Sequence, residues 1–246
     1  MSGPVALITG AGSGIGRAVA IGLAKAGYRV VLTGRRRDAL EATQGLIGEG
    51  RVMPTDVADE ASVTALFDDV EAEFGRLDLL FNNAGRSAPA VPLDEVSVSD
   101  LRNLIDINVF GAFLCARSAF GLMRRQSPQG GRIINNGSVS AYGPRPFSAP
   151  YTASKHAITG LTKSLILDGR AWGITASQID IGNAITDMSA KMETGVLQAD
   201  GGLKPEPRID VAHVVTTVVH MASLPPEANM PFVTVMATGM PLYGRG

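Results

Sequence analysis

The chain has 246 residues, 45% apolar and 18% charged, enough apolar material for a sizeable core and too little charge for extended disorder. Lys plus Arg number 22 against 23 Asp plus Glu, a balance that argues against a nucleic-acid or membrane-surface partner. A single cysteine, Cys115, rules out a disulfide framework; no basic-then-apolar segment opens the chain, and its most apolar stretch, 109–123, is interrupted by Arg117, so the expectation is a soluble, cytoplasmic protein.

Short apolar runs alternate with amphipathic helical patterns along the whole chain. The first strand is expected at 5–9 and leads through a glycine-rich turn into a helix whose Ile15, Val19 and Leu23 share a face. Strands follow at 29–33 and 52–55, then a helix striped by Val63, Leu66, Phe67, Val70 and Phe74. The fourth strand at 77–82 precedes an apolar helical stretch, 101–125; the fifth, at 132–136, precedes a helix that carries Tyr151, Lys155, Ile158, Leu161 and Leu165. The sixth strand is expected at 174–179. A helix with Val211, Val214, Val215, Val218 and Val219 on one stripe, capped by Asp210, leads to the seventh at 232–236. Several strands are apolar without alternation, as in strands covered on both faces. The prediction is one α/β domain over 1–246: a three-layer, doubly wound (Rossmann-type) sheet of about seven parallel strands with helices on both faces. One stretch breaks the rhythm. From 183 to 208 the chain is rich in glycine and proline, with only a weak helical pattern near Met188 and Met192. Long loops at the carboxyl end of such a strand are usually functional, so this one is expected to be a substrate lid with an adaptable apolar face.

The turn after the first strand reads Thr9-Gly-Ala-Gly-Ser-Gly-Ile-Gly16. Gly10 permits a tight turn, Gly14 lets a backbone approach a pyrophosphate, and Gly16 lets helix and sheet close together. The helix amino terminus then offers unpaired N–H groups and partial positive charge to phosphates. The spacing is G-x-x-x-G-x-G. With Asn82-Asn-Ala-Gly85 closing the fourth strand, Asn108 in the following helix, Ser138 after the fifth strand and Tyr151-Thr-Ala-Ser-Lys155, it resembles the short-chain dehydrogenase/reductase family from Val5 to about Thr186.

Tyr151 and Lys155 are four apart in a helical pattern and so share a face. A free phenol is a poor base at neutrality, and an ammonium beside it favours the phenolate. Such a pair can donate a proton to a carbonyl being reduced, or accept one from an alcohol being oxidised. Ser138 is suited to hydrogen-bond the same substrate oxygen. The resemblance implies the catalytic set Asn108, Ser138, Tyr151 and Lys155. It implies also that Lys155 holds the nicotinamide ribose and that Asn108 anchors a water linking Lys155 to solvent. It places Gly10, Ser13, Gly14, Ile15 and Gly16 along the pyrophosphate, and Asp56 and Val57 beside the adenine. Asn82, Ala84 and Gly85 would follow the ribose and nicotinamide with Tyr151 and Lys155, and Gly182 and Thr186 would lie at the carboxamide.

Three departures from the family pattern stand out. Gly137 replaces a frequent serine, a change expected to matter little; Ile181-Gly182 stands where Pro-Gly is usual; and the tail after Val235 lacks the V-D-G-G ending of many tetrameric members. The second strand ends in Gly34-Arg-Arg-Arg37. A carboxylate here would repel an adenosine 2′-phosphate, whereas Arg35 would pair with one. The expected cofactor is therefore NADP, with NAD the alternative, and the expected substrate a small carbonyl or alcohol. Arg86 and Arg145 are candidates for holding an anionic group. The resemblance implies a homodimer or homotetramer built on 101–125 and 151–168. His156, His213 and His220 lack metal-ligand spacing, and Cys115 and Trp172 read as packing residues. An NAD-linked dehydrogenase and a non-catalytic dinucleotide sensor are the rival readings.

Overall fold

The computed structural model describes residues 3–186 and 189–243. Seven strands, each parallel to its neighbours, form one sheet: β1 (Val5–Thr9), β2 (Arg29–Gly34), β3 (Arg51–Pro54), β4 (Leu79–Asn82), β5 (Gly131–Asn136), β6 (Ile174–Gly182) and β9 (Phe232–Met236). Their order across the sheet is β3-β2-β1-β4-β5-β6-β9. The chain therefore winds outward from β1 in one direction, returns, and winds outward in the other. Beyond the carboxyl ends of β1 and β4 the crossovers diverge and leave a crevice, the place where such folds bind ligands.

Strands β1 to β6 each feed two cores because successive side chains point to opposite faces. Along β1, Val5 and Leu7 join a core with α3 (Glu60–Phe74), α5 (Ala112–Arg125) and α6 (Ala149–Asp168). Ala6 and Ile8 join the other core, with α1 (Gly14–Lys25), α2 (Arg37–Ile47) and α8 (Val211–Ser223). Full burial of one such aliphatic side chain is worth about 1.5–3 kcal/mol, which fixes strand register on both faces at once. Val63, Leu66, Phe67 and Val70 face inward from α3 as expected, and Asp210 caps α8 by accepting from the Ala212 N–H at 2.8 Å.

Departures from the expected boundaries have local causes. β4 starts at Leu79, not at 77, because Gln126 captures the backbone N–H and C=O of Leu77 with its amide. β6 runs on to Gly182 because Asp180, Ile181 and Gly182 pair with Thr234, Val235 and Met236 of β9. The apolar stretch after α4 (Val98–Ile105) widens into a π-helical turn, Asp106–Gly111, centred on Asn108, before α5. Insertions of this kind recur at functional sites. By length and composition Val98–Arg125 is apolar enough to cross a membrane, but Leu104, Leu114, Cys115, Ala119 and Leu122 are buried within the protein.

The segment after β6 has structure of its own. Helix α7 (Lys191–Thr194) is followed by a hairpin of β7 (Val196–Leu197) and β8 (Leu203–Lys204). Met188 lies outside the described residues. The two ends of the excursion meet, since Ala184 bridges Ile209 and the Ile185 N–H donates to the Ile209 carbonyl at 2.9 Å.

Candidate active site

The glycine turn lies at the crevice. Gly10 has φ 68, a conformation L side chains rarely adopt, and a Cβ on Gly16 would stand 2.2 Å from the Gly10 carbonyl oxygen. Helix and strand are as close as backbone allows. The first turn of α1 contains no acidic residue, and the side chain of its N-cap, Ser13, makes no capping hydrogen bond. The leading N–H groups of α1 are thus left for an anion, which is the environment a dinucleotide pyrophosphate needs.

A cleft of about 440 Å³ opens over this turn, lined by Gly10, Ser13, Gly14, Ile15, Gly16, Ala84, Gly85 and Thr186, and by Asn108, Ser138, Tyr151 and Lys155. All four expected catalytic residues and eight further expected cofactor contacts thus share one cavity. Tyr151 and Lys155 project from the same face of α6, with the Lys155 ammonium 5.5 Å from the Tyr151 ring centroid. Lys155 is buried and donates to the Asn136 carbonyl at 2.8 Å. Ser138 caps a short 3-10 turn, Val139–Ala141: its Oγ accepts from the Ser140 N–H at 3.1 Å, leaving its own hydroxyl proton to donate.

Other expected contacts lie outside the lining of this cleft. Asn82 turns away from the cleft and braces the sheet, donating to the Ala112 carbonyl at 2.8 Å and to Asn135 Oδ1 at 3.2 Å. Its neighbour Asn83 lines the cleft instead, bonded to the Thr9 carbonyl and to Asn136. Gly182 faces Met236 and Met240 rather than the cavity, and Ile181 takes its place in the lining. Val57 is buried against Gly111, and Asp56 Oδ1 accepts from the Ala58 N–H at 3.0 Å. The side-chain amide of Asn108 is committed to protein partners. Oδ1 accepts from the Arg86 N–H at 2.8 Å, while Nδ2 donates to the Arg86 carbonyl at 2.9 Å and to Ser154 Oγ at 3.3 Å. The side chain is a splint between the loop after β4 and helix α6.

The two candidate anion-binding arginines are already paired. Arg145 bonds the buried Glu206 at 2.5 Å and donates to Asn183 Oδ1 at 2.7 Å. Arg86 lies 3.8 Å from Asp100. Burial pushes the Glu206 carboxyl up, but hydrogen bonds from Arg145, Asn183 and Gln198 outweigh it and hold the pKa at about 2. Sequence reasoning missed Glu206 and Asn183, which no motif marks. Phe147 (φ 58) and Asn183 (φ 53) are the two non-glycine residues with positive φ among those described, and both line the cleft, as strained backbone at functional sites often does.

Cys115 and Trp172 pack within the fold. Burial pushes the Cys115 thiol up to about 12, so it does not ionise at neutrality. Trp172 packs edge-on to Phe120 with ring centroids 5.7 Å apart, under the Arg124 guanidinium. Among the described residues, no group of three His, Cys, Asp or Glu is placed to hold a metal ion.

A short chain dehydrogenase model matches residues 4–196. The chain belongs to that family. A 3beta-hydroxysteroid dehydrogenase of Mediterraneibacter gnavus is 40% identical over 179 residues, 71% of this chain and 64% of the relative, so the match spans less than two thirds of that protein. A 3-ketoacyl-(acyl-carrier-protein) reductase from Brucella melitensis, solved with NADH, superposes with TM-score 0.86 at 26% identity, covering 95% of this chain and 97% of that one. A metagenomic short-chain oxidoreductase solved with NADP gives TM-score 0.80 at 28% identity, over 95% and 96% of the two chains. Membership makes the protein an NAD(P)-dependent oxidoreductase by class.

Proposed function

We propose that the protein is an NADP(H)-dependent oxidoreductase that interconverts a ketone and a secondary alcohol, with Tyr151 as general acid and base. The observation that carries this reading is the meeting of Ser138, Tyr151 and Lys155 in a cleft floored by the glycine turn. A bound nicotinamide dinucleotide supplies or accepts the hydride at the substrate carbon. In reduction Tyr151 gives its phenolic proton to the carbonyl oxygen, and the Ser138 hydroxyl donates a hydrogen bond to that same oxygen. Lys155 keeps a cation beside the phenol as its proton leaves, and the Asn136 carbonyl fixes that cation in place. Asn108 serves the site by holding the Arg86 backbone against Ser154.

Preference for NADP is supported by Gly34, where no carboxylate opposes a 2′-phosphate, and by Arg35 and Arg36. Both are exposed and, among the described residues, without an ion pair, whereas Arg37 is tied to Glu41 at 3.6 Å. An NAD-linked dehydrogenase is the rival reading, favoured by the NADH bound to the Brucella neighbour. A neutral substrate fits the cleft, because Arg145 is matched by Glu206 and because Ala88, Ala90, Phe147 and Met192 supply apolar walls. The excursion after β6 acts as the lid over it. The protein assembles as a homodimer or homotetramer through the helical stretches 101–125 and 151–168, and works in the cytoplasm.

Tyr151→Phe tests the reading. Turnover should fall by about 10²–10⁴-fold, the usual worth of a positioned acid or base, while NADPH binding, followed by fluorescence titration, stays within twofold. Retention of the wild-type rate would falsify the assignment.

A further inference from the structure

A second polar cluster lies behind Ser138, outside the cleft lining. Its centre is Asp180 on β6, fully buried. One carboxylate oxygen accepts from the Ser138 backbone N–H at 2.9 Å and from Gln178 Nε2 at 2.7 Å, and the other accepts from the Tyr142 hydroxyl at 2.6 Å. Gln178 carries the connection onward to α6. Its Nε2 also donates to Thr159 Oγ1 at 3.0 Å, and its Oε1 accepts from Thr162 Oγ1 at 3.1 Å. Asn135 Nδ2 donates to the same Thr162 oxygen at 2.9 Å, and Asn135 Oδ1 in turn accepts from Asn82. An unbroken polar chain thus links β4, β5 and the Tyr151-bearing helix to the N–H of Ser138.

Gly137 belongs to the same feature. A Cβ there would stand 2.0 Å from Asp180 Oδ1 and 2.8 Å from Gln178. The glycine in place of the family's frequent serine is therefore the space the carboxylate occupies, and the expectation that it matters little is corrected. A buried carboxylate is costly unless well satisfied, and this one is satisfied by three donors aimed at it from the Ser138 turn and its own strand.

We propose that Asp180 is a positioning residue that locks the Ser138 turn in register with helix α6, so that the serine hydroxyl and the Tyr151 phenol reach one substrate oxygen. The inference rests on the reading of Ser138 and Tyr151 given above, and its test separates the two. Rates are measured with NADPH and whichever of cyclohexanone, ethyl acetoacetate and 4-nitroacetophenone the wild type reduces fastest. Amide hydrogen exchange of 137–142 is followed alongside, which needs no substrate. Asp180→Ala should lower kcat at least tenfold, leave NADPH affinity within twofold, and speed exchange of the turn at least tenfold. Asp180→Asn, whose amide can still accept from Ser138 and Gln178 and donate to Tyr142, should restore most of the rate and the protection. In a Ser138→Ala background, Asp180→Ala should cost less than a further twofold, since the residue acts through the serine. If Asp180→Ala fails to fold, Gly137→Ala, which drives a methyl onto the carboxylate, should reproduce the kcat loss with cofactor affinity intact. Wild-type kcat in Asp180→Ala or in Gly137→Ala, unprotected turn amides in Asp180→Asn, or losses that multiply in the double variant would overturn the proposal while leaving the catalytic serine standing. Full activity of Ser138→Ala would instead bring down the reading beneath it, and the proposal with it.

Discussion

Arg35 and Arg36 have no ion-pair partner among the described residues at the end of β2, while Arg37, the next residue, is held by Glu41. A charge-assisted hydrogen bond contributes about 1.5–3 kcal/mol, close to one or two decades of affinity. Arg35→Ala should therefore weaken NADPH binding at least tenfold and change NADH binding less than twofold; equal effects on the two nucleotides in a fluorescence titration would end the case for NADP. At this scale the sequence is legible where chemistry dictates residue type and spacing. Tyr151 and Lys155 must share a helical face, and they do. It is less legible where adjacent residues of one type compete for one role. Nothing in the dipeptide Asn82-Asn83 says which side chain braces the sheet and which faces the cleft; that depends on the pleat of β4 and on Asn135 across it. Asp180 was invisible for a related reason. A lone carboxylate in an apolar strand acquires meaning only when Ser138, Tyr142 and Gly137 are seen around it.

The excursion between β6 and α8 is fastened at the cleft by Arg145, which pairs with Glu206 and donates to Asn183. Breaking a buried pair by removing one partner strands the other charge and costs about 3–5 kcal/mol. Glu206→Ala should lower the melting temperature by about 6–12 °C, and, if the excursion is the proposed lid, should raise KM more than it lowers kcat because that lid loses its anchor. An unchanged KM with reduced stability would separate the latch from substrate binding. Titration supplies an independent check. The Glu206 carboxyl is depressed from an ordinary 4.5 to about 2 in the folded protein, so its contribution is complete above the unfolded value and fades as pH falls from about 4.5 towards about 2. The melting-temperature advantage of wild type over Glu206→Gln should be full at pH 6 and shrink across that acidic window; an advantage independent of pH would refute the pairing. Element by element, the strands at 5–9 and 232–236 and the cap at Asp210 could be read directly from pattern. The two-stranded hairpin in the excursion could not, because two-residue strands carry no periodicity.

Across the whole molecule, the doubly wound architecture followed from alternation of apolar runs with amphipathic helices, and the crevice from the reversal of strand order. What alternation could not reveal is how the outer helices meet a neighbour. Val98, Leu101, Phe110 and Phe113 lie exposed along one helical run, an arrangement isolated monomers seldom leave uncovered. The proposed dimer or tetramer should be seen by analytical ultracentrifugation, and Phe113→Asp should shift it to smaller species without loss of helical circular dichroism. A wild-type monomer at micromolar concentration would dispose of the assembly.

The bridge between Ala184 and Ile209 has one more implication. Because the chain departs from the sheet and comes back to it side by side, whatever lies between can lengthen, shorten or be exchanged at small entropic cost while the scaffold beneath is untouched. The proposed lid is thereby a detachable cassette, and grafting a foreign one between those two residues is the direct test of whether it sets substrate choice.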